Sequence, residues 1–184
     1  MFEHDTEVAL ANAAALVNTQ PTARPGQGGP ELLPDTASLA AFLEEWQWSA
    51  VPALTPDVLH RVHTLRPRLR ELWTAELPEQ VTSINALLSE FQARPRLVRH
   101  DPYGWHVHAT DDDTPLHARM AVEAAMAMVD LVRASETERL RLCAAQDCDR
   151  VLVDLSRNRS KAYCDAGCAN RAHAAAYRAR RARS

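Results

Sequence analysis

Residues 142–181, LCAAQDCDRVLVDLSRNRSKAYCDAGCANRAHAAAYRARR, decide how the C-terminal part of this chain folds. The stretch holds all four cysteines of the chain, in the pattern C-x4-C-x15-C-x3-C. Two close pairs of thiolates suit a tetrahedral zinc ion, because each pair closes a small chelate ring on the metal. The pattern therefore predicts zinc as a cofactor, and the predicted ligands are Cys143, Cys148, Cys164 and Cys168.

Four thiolates complete the coordination shell of zinc, whereas a catalytic zinc ion keeps one position open to water. The predicted site is therefore structural, and the metal supplies most of the folding energy of a segment with few apolar residues, about 10–16 kcal/mol in zinc-finger peptides. Two disulfides are the alternative interpretation of the same cysteines. The acidic N-terminus, Met1 to Asp5, is unlike a secretory signal, so we expect a cytoplasmic protein with reduced thiols.

The residues between the cysteines indicate the order of secondary structure. Residues 139–143 can form a strand that leads into a tight knuckle, and residues 151–154 are rich in β-branched side chains and can pair back as a hairpin. A polar turn follows, and from Asp165 to about Ala182 the pattern is helical. This order predicts a treble-clef zinc finger. The last two cysteines lie at the start of its helix, where we expect the helix dipole to favour thiolates.

Residues 142–181 also resemble the CGNR zinc finger family, whose motif continues after the first cysteine pair as F/L-x-D-x-S-R-N and S-R-x-x-C-x-x-x-C-G-N-R. This chain departs from it at Ala169, which replaces the glycine, at Lys161, which replaces an arginine, and at His173, which replaces a basic residue. If the glycine permits close approach to a phosphate, Ala169 weakens that contact. The matching positions are Asp154, Ser156, Arg157, Asn158, Ser160, Cys164, Cys168, Asn170, Arg171 and Arg178.

The preceding residues predict a mainly α-helical domain with one β-hairpin, an α+β domain over residues 1–136, before a finger over residues 137–184. A loop rich in Pro and Gly is expected at residues 20–34, and a kink or break at Pro67. The four tryptophans, Trp105 among them, are expected in the core. Helices are predicted at about 8–19, 36–48, 56–73, 78–92 and 115–133, and strands at 94–99 and 103–108; Leu16 and Val17 could alternatively continue as a strand. Asp35 or Thr36 is expected to cap the second helix, and Thr55 the third, with Pro56 at its first position.

Two short elements of this domain resemble the ABATE family, which typically precedes the CGNR finger. They are Leu-Val-Asn-Thr at 16–19 and Asn-Ala-Leu-Leu at 85–88. The family is described as a stress-induced transcription regulator, so the resemblance implies a role in transcription. Asn18 and Asn85 are polar residues in apolar surroundings. Either they satisfy buried backbone groups, or they line a pocket for a small ligand.

The charge distribution is asymmetric although the net charge is only −3. Residues 141–184 contain ten basic and four acidic residues, whereas residues 1–140 contain eleven basic and twenty acidic residues. A basic C-terminal segment on an acidic body favours an anionic partner such as nucleic acid. The predicted nucleic-acid-binding residues are Arg157, Arg159, Lys161, Asn170, Arg171, Arg178, Arg180 and Arg181.

The sequence therefore predicts a transcription regulator that binds DNA through its finger, with a helical domain that senses a ligand or holds a partner. The alternatives are a zinc-stabilised module for protein interaction or dimerisation, and RNA binding. A simpler interpretation of the same residues is that the arginines lie in solvent at a frayed helix end and that the asparagines brace the finger by hydrogen bonds. No glycine-rich phosphate loop or nucleophile motif is present, so we do not expect an enzyme. No run of about 18 apolar residues is present, so we do not expect a membrane span.

Overall fold

The computed structural model describes residues 2–21, 29–99 and 104–181. Within these residues, six α-helices and two short antiparallel hairpins confirm the predicted class, mainly α with a small β component. A 3-10 turn, Thr137–Arg139, leads from the helical body into the finger. The elements are α1 (His4–Val17), α2 (Thr36–Glu45), α3 (Pro56–Glu71), α4 (Leu77–Glu90), β1 (Arg96–Val98), β2 (His106–His108), α5 (Leu116–Arg133), β3 (Leu140–Leu142), β4 (Val151–Val153) and α6 (Ala166–Arg181).

Helix α5 forms the centre of the body. It packs against α1, α3 and α4, and its buried side chains include Met120, Ala124 and Met128. Alanines allow the neighbouring helices to approach closely, and the flexible methionines fill the spaces that remain. Neither α5 nor any other helix in the described ranges is long and apolar enough to span a bilayer.

Side-chain caps fix the starts of α2 and α3, as their sequences predict. Asp35 accepts a hydrogen bond from the backbone N–H of Ser38 at 2.8 Å, and the Ser38 hydroxyl accepts one from the N–H of Asp35 at 3.1 Å. The Thr55 hydroxyl accepts a hydrogen bond from the N–H of Val58 at 3.3 Å, with Pro56 at the first helical position. Each such cap stabilises its helix by about 1 kcal/mol.

Helix α3 runs through Pro67 as one helix, so of the expected kink or break the break is wrong, and the kink stays a prediction. A proline inside a helix costs about 3 kcal/mol, because it removes one hydrogen bond and crowds the preceding turn. Leu65 and Leu69 on either side of it are buried, and each contributes about 1.5–3 kcal/mol by leaving water. Packing against the body therefore outweighs the local preference.

Strands β1 and β2 form the predicted hairpin, with Leu97 opposite Val107; its predicted turn at residues 100–102 lies outside the described residues. One face of this hairpin is exposed, since Leu97 and Trp105 retain 67% and 68% of their accessible surface. The expectation that Trp105 lies in the core is therefore wrong. Alternate residues of a strand point to opposite faces, and a two-stranded ribbon leaves one face to solvent when only the other is packed.

The hairpin of the finger completes the core of the body. Val151 and Val153 of β4 belong to the same buried cluster as the leucines of α1 and α5. The amide group of Asn18 donates to the carbonyl oxygen of Val151 and accepts from its N–H, both at 2.8 Å. The indole N–H of Trp73 donates to the carbonyl oxygen of Leu152 at 3.0 Å. Body and finger therefore share one core.

Candidate metal centre and basic helix

The four thiols meet in one cluster between the β3–β4 hairpin and the start of α6. The Sγ atoms of the four cysteines all lie within 4.8 Å of one another. The Sγ atoms of Cys148 and Cys164 are 3.7 Å apart, and those of Cys164 and Cys168 are 3.5 Å apart. A tetrahedral zinc ion with Zn–S bonds of about 2.3 Å places its sulfurs about 3.8 Å apart. The number, chemistry and spacing of the donors therefore fit zinc.

Backbone hydrogen bonds hold the ligands in place. Cys143 follows β3, and its N–H donates to the carbonyl oxygen of Arg150 across the hairpin at 2.9 Å. Cys148 ends the knuckle, with its N–H donating to the carbonyl oxygen of Ala145 at 3.1 Å. Cys164 lies in the turn before α6, and Cys168 lies in the first turn of that helix. The treble-clef order predicted from the residues between the cysteines is the order observed.

Burial and hydrogen bonds together shift the pKa values of three of the thiols when no cation is bound. Burial and the neighbouring sulfurs raise the pKa of Cys164, and burial raises the pKa of Cys168 to about 11. Burial also opposes ionisation of Cys143, but hydrogen bonds from the N–H groups of Ala145 and Cys164 hold its pKa below the ordinary value. A divalent cation is what brings such a cluster to the thiolate form.

The first N–H groups of α6 are bonded by Asp165 and not by the sulfurs, and the expected effect of the helix dipole on the thiolates stays a prediction. The carboxylate of Asp165 accepts the N–H of Cys168 at 2.7 Å, and the carbonyl oxygen of Asp165 accepts the N–H of Ala169 at 3.2 Å. Asp165 thus caps the helix in place of the sulfurs. Ala169 itself lies inside α6, where alanine is favoured and no glycine is required.

Two basic residues from the predicted nucleic-acid set are engaged within the finger. Arg171 donates to the Sγ of Cys168 and to Asp147, both at 3.1 Å, so its positive charge lies beside the thiolates. Arg159 has a left-handed backbone, with φ of 50°, and its guanidinium pairs with Glu136 and Glu138 in the segment that joins body and finger. The sequence did not show the acidic partners of these arginines, because they lie 20 or more residues away.

Asp154 is the buried carboxylate of the finger, with 0% of its surface accessible. It accepts hydrogen bonds from the hydroxyl of Ser156 at 2.5 Å and from the N–H groups of Ser156 and Lys161 at 3.0 and 2.9 Å. Arg141 pairs with it at 3.2 Å. Burial opposes the charge, but these donors hold the pKa of Asp154 below its ordinary value. Asp154 therefore fixes the polar turn that leads to the second cysteine pair.

The remaining predicted residues form an exposed basic surface. Arg157 and Lys161 are exposed on the polar turn, and Asn170, Arg178, Arg180 and Arg181 are exposed on α6. Tyr177, nine positions after Cys168, lies on the side of α6 opposite the metal, because successive residues turn by about 100°. It is 55% exposed. Beyond its first turn, α6 therefore presents cations and an aromatic ring to solvent.

The two asparagines of the body occupy different environments. Asn18 is half-buried, and its amide forms two hydrogen bonds with the backbone of Val151. This agrees with the interpretation in which Asn18 satisfies buried backbone groups. Asn85 is exposed on α4, since Ile84 and Leu87 are the residues there that face the core. The expected apolar surroundings of Asn85 are therefore wrong. The ligand-binding role of both residues stays a prediction.

This arrangement defines a class of protein: a helical domain whose core is completed by a four-cysteine zinc finger with a basic C-terminal helix. Comparison with known families matches residues 10–135 to the ABATE family, described as "Putative stress-induced transcription regulator". Residues 139–181 match the CGNR zinc finger family. The chain therefore belongs to the ABATE family and carries a CGNR zinc finger, and neither family is described as enzymatic. No curated protein matches the chain.

Proposed function

We propose that this protein is a cytoplasmic transcription regulator that binds duplex DNA through α6 and the polar turn of its zinc finger. The helical domain, residues 1–136, senses a ligand or a partner, and the finger, residues 137–184, contacts the nucleic acid. The observation that carries the proposal is the exposed α6, which bears Arg178, Arg180 and Arg181 and no acidic residue. Zinc anchors the start of this helix and leaves its far end clear of the core.

The dimensions of α6 support insertion into DNA. A helix of 16 residues is about 24 Å long, and the major groove, about 12 Å wide, admits one α-helix. In this proposal Asn170 and Tyr177, on the outward side of α6, contact base edges, and the arginines near its C-terminal end contact phosphates. Arg157 and Lys161 extend the basic surface beyond the helix. Arg159 and Arg171 act mainly by bracing the turn and the metal centre.

A salt series with duplex DNA tests this proposal. Each phosphate contact contributes a slope of about −0.9 to the plot of log K against log salt. The double variant Arg178→Gln, Arg181→Gln is therefore expected to reduce the slope by about 2 and to weaken binding at low salt about tenfold or more. Arg133→Gln, at the exposed end of α5, removes one charge from the body and is the matched control.

Duplex binding that is absent at low salt, or that the double variant leaves unchanged, would contradict the proposal. Competition between duplex DNA and structured RNA in the same assay separates the two nucleic acids, because an A-form duplex is bound through its shape and its 2′-hydroxyl groups. A preference for RNA would reassign the ligand but keep the basic surface.

Tyr177 favours a second candidate function, protein interaction through α6. Its exposed aromatic ring shares a face of α6 with Ala174, one turn earlier, and such a face resembles an unpaired helix surface more than a phosphate-binding surface. In that case the finger dimerises, and light scattering is expected to show a zinc-dependent dimer that Tyr177→Gln disrupts. A monomer at all protein concentrations would reject this candidate.

A further inference from the structure

A second site is suggested by a cavity on the side of the body formed by the N-terminal half of α3, the end of α4, the base of the β1–β2 hairpin and the start of α5. Its volume is about 420 Å³, which lies in the range of small-molecule pockets. The side chains that matter for its chemistry are Arg61, Phe91, Arg94, Asp111, Thr114 and His117.

One arginine among the charged groups that line the cavity is left without an ion pair in the described residues. Arg61 and Arg94 line it together with the carboxylates of Glu90 and Asp111, and burial lowers the pKa of His117, which disfavours a charged imidazole there. Both carboxylates are already neutralised, because Glu90 pairs with Arg68 at 2.5 Å and Asp111 pairs with Arg96 at 2.5 Å. Arg61 pairs with Asp57 across one turn of α3 at 2.8 Å.

Arg94 is the cation best placed to take a ligand. Within the described ranges its guanidinium makes no ion pair, and its backbone N–H is bonded to the carbonyl oxygen of Ala109 at 2.8 Å. The backbone of this residue is therefore fixed at the base of the hairpin while its charge remains available. A guanidinium in this situation binds carboxylates and phosphates through paired hydrogen bonds.

The wall of the cavity next to these cations is apolar. The ring of Phe91 is half-buried and meets the imidazole of His117 edge-on, with the ring centres 5.6 Å apart. Ala109 and Ala118 add small apolar surfaces nearby. A ligand that fits has both a negative group and an apolar group. The cavity also includes the first turn of α5, whose dipole adds to the preference for an anion.

We propose that this cavity binds a small organic anion, a carboxylate or a phosphate monoester that carries an aromatic or aliphatic group. The anion pairs with Arg94 and Arg61, and its apolar group rests on Phe91. The role of such a ligand as the signal sensed by the helical domain rests on the proposed function, but its binding does not. Helix α5 begins at this cavity and ends at the segment leading to the finger, so it joins the two sites.

Calorimetric titration of the zinc-loaded full chain tests the site, with inorganic phosphate, phenyl phosphate and benzoate as probes and sodium chloride to match ionic strength. We expect phenyl phosphate or benzoate to bind more tightly than inorganic phosphate, because only these two probes can use Phe91. The imidazole signals of His117 in nuclear magnetic resonance spectra are expected to shift on binding. Whichever of the two aromatic probes binds more tightly identifies the anionic group.

The variant Arg94→Gln keeps the backbone bond and the fold, because the side chain is exposed. It is expected to weaken binding about tenfold through loss of a charge-assisted pair. Arg133→Gln, at the other end of α5, removes the same charge and is expected to leave binding unchanged. Failure of all three probes to shift the His117 signals, or equal binding by Arg94→Gln, would overturn the proposal. Since no DNA is present, this result is independent of the test of DNA binding.

Discussion

Removal of zinc from the reduced protein is expected to unfold the finger and to destabilise the helical body as well. Structural zinc contributes about 10–16 kcal/mol of apparent binding energy in comparable fingers, and that energy is folding energy here. Val151 and Val153, with 0% and 5% of their surface accessible, leave the core of the body when the hairpin unfolds. Burial of each is worth about 1.5–3 kcal/mol.

Urea unfolding followed by circular dichroism and by tryptophan fluorescence measures this effect. Trp73 reports on the contact directly, because its indole N–H is bonded to Leu152 of the finger. The zinc-free protein and the Cys143→Ser variant are both expected to unfold at much lower urea, and only the first is expected to recover when zinc is restored. If the body unfolds at the same urea concentration with and without zinc, body and finger do not share a cooperative core.

Substitution of Asp154 by Asn is expected to be the most damaging single change outside the metal ligands. The asparagine amide carries no negative charge to pair with Arg141. Its NH2 group would also face the Ser156 hydroxyl or the Lys161 N–H, which donate to carboxylate oxygens in the native protein. Removal of one partner from a buried pair costs about 3–5 kcal/mol. The pKa of Asp154 is lowered in the folded state, so its stabilising effect is present above its ordinary pKa of 3.8 and is lost as pH falls through the folded value.

The measurement is urea unfolding of the zinc-loaded variant at neutral pH, where the charge of Asp154 is fully developed. Asp57→Asn is the control, since Asp57 also pairs with an arginine but on the surface of α3, and it is expected to change stability very little. Equal stability of the two variants would show that the carboxylate of Asp154 does not organise the finger.

The parts of this fold that local chemistry dictates were predictable from the sequence. The cysteine spacing predicted the metal cluster, and the Asp35 and Thr55 caps located two helix starts to within a residue. These features depend on residues a few positions apart. The break expected at Pro67 was wrong for the same reason, because a local rule ignores the burial of Leu65 and Leu69 on either side.

The parts that depend on distant residues were not predictable. Asn18 and Val151 are 133 positions apart, and no pattern in either segment indicates that the Asn18 amide forms hydrogen bonds with the backbone of β4. The ion pairs of Arg159 with Glu136 and of Arg171 with Asp147 also join residues that are far apart in the sequence. Trp105 shows the converse problem, because its type favours the core whereas its place on a two-stranded hairpin exposes it. A single sequence gives residue types and spacing but not which faces meet.

The most direct test of this account is the metal content of freshly purified, reduced protein, measured by native and denaturing mass spectrometry. One zinc ion per chain is expected under native conditions, with the same preparation losing that mass when denatured. The Cys168→Ser variant is expected to lose its zinc on dialysis and to show exposed, reactive thiols. A folded and reduced chain that carries no metal, with β4 and α6 still protected from hydrogen exchange, would contradict it.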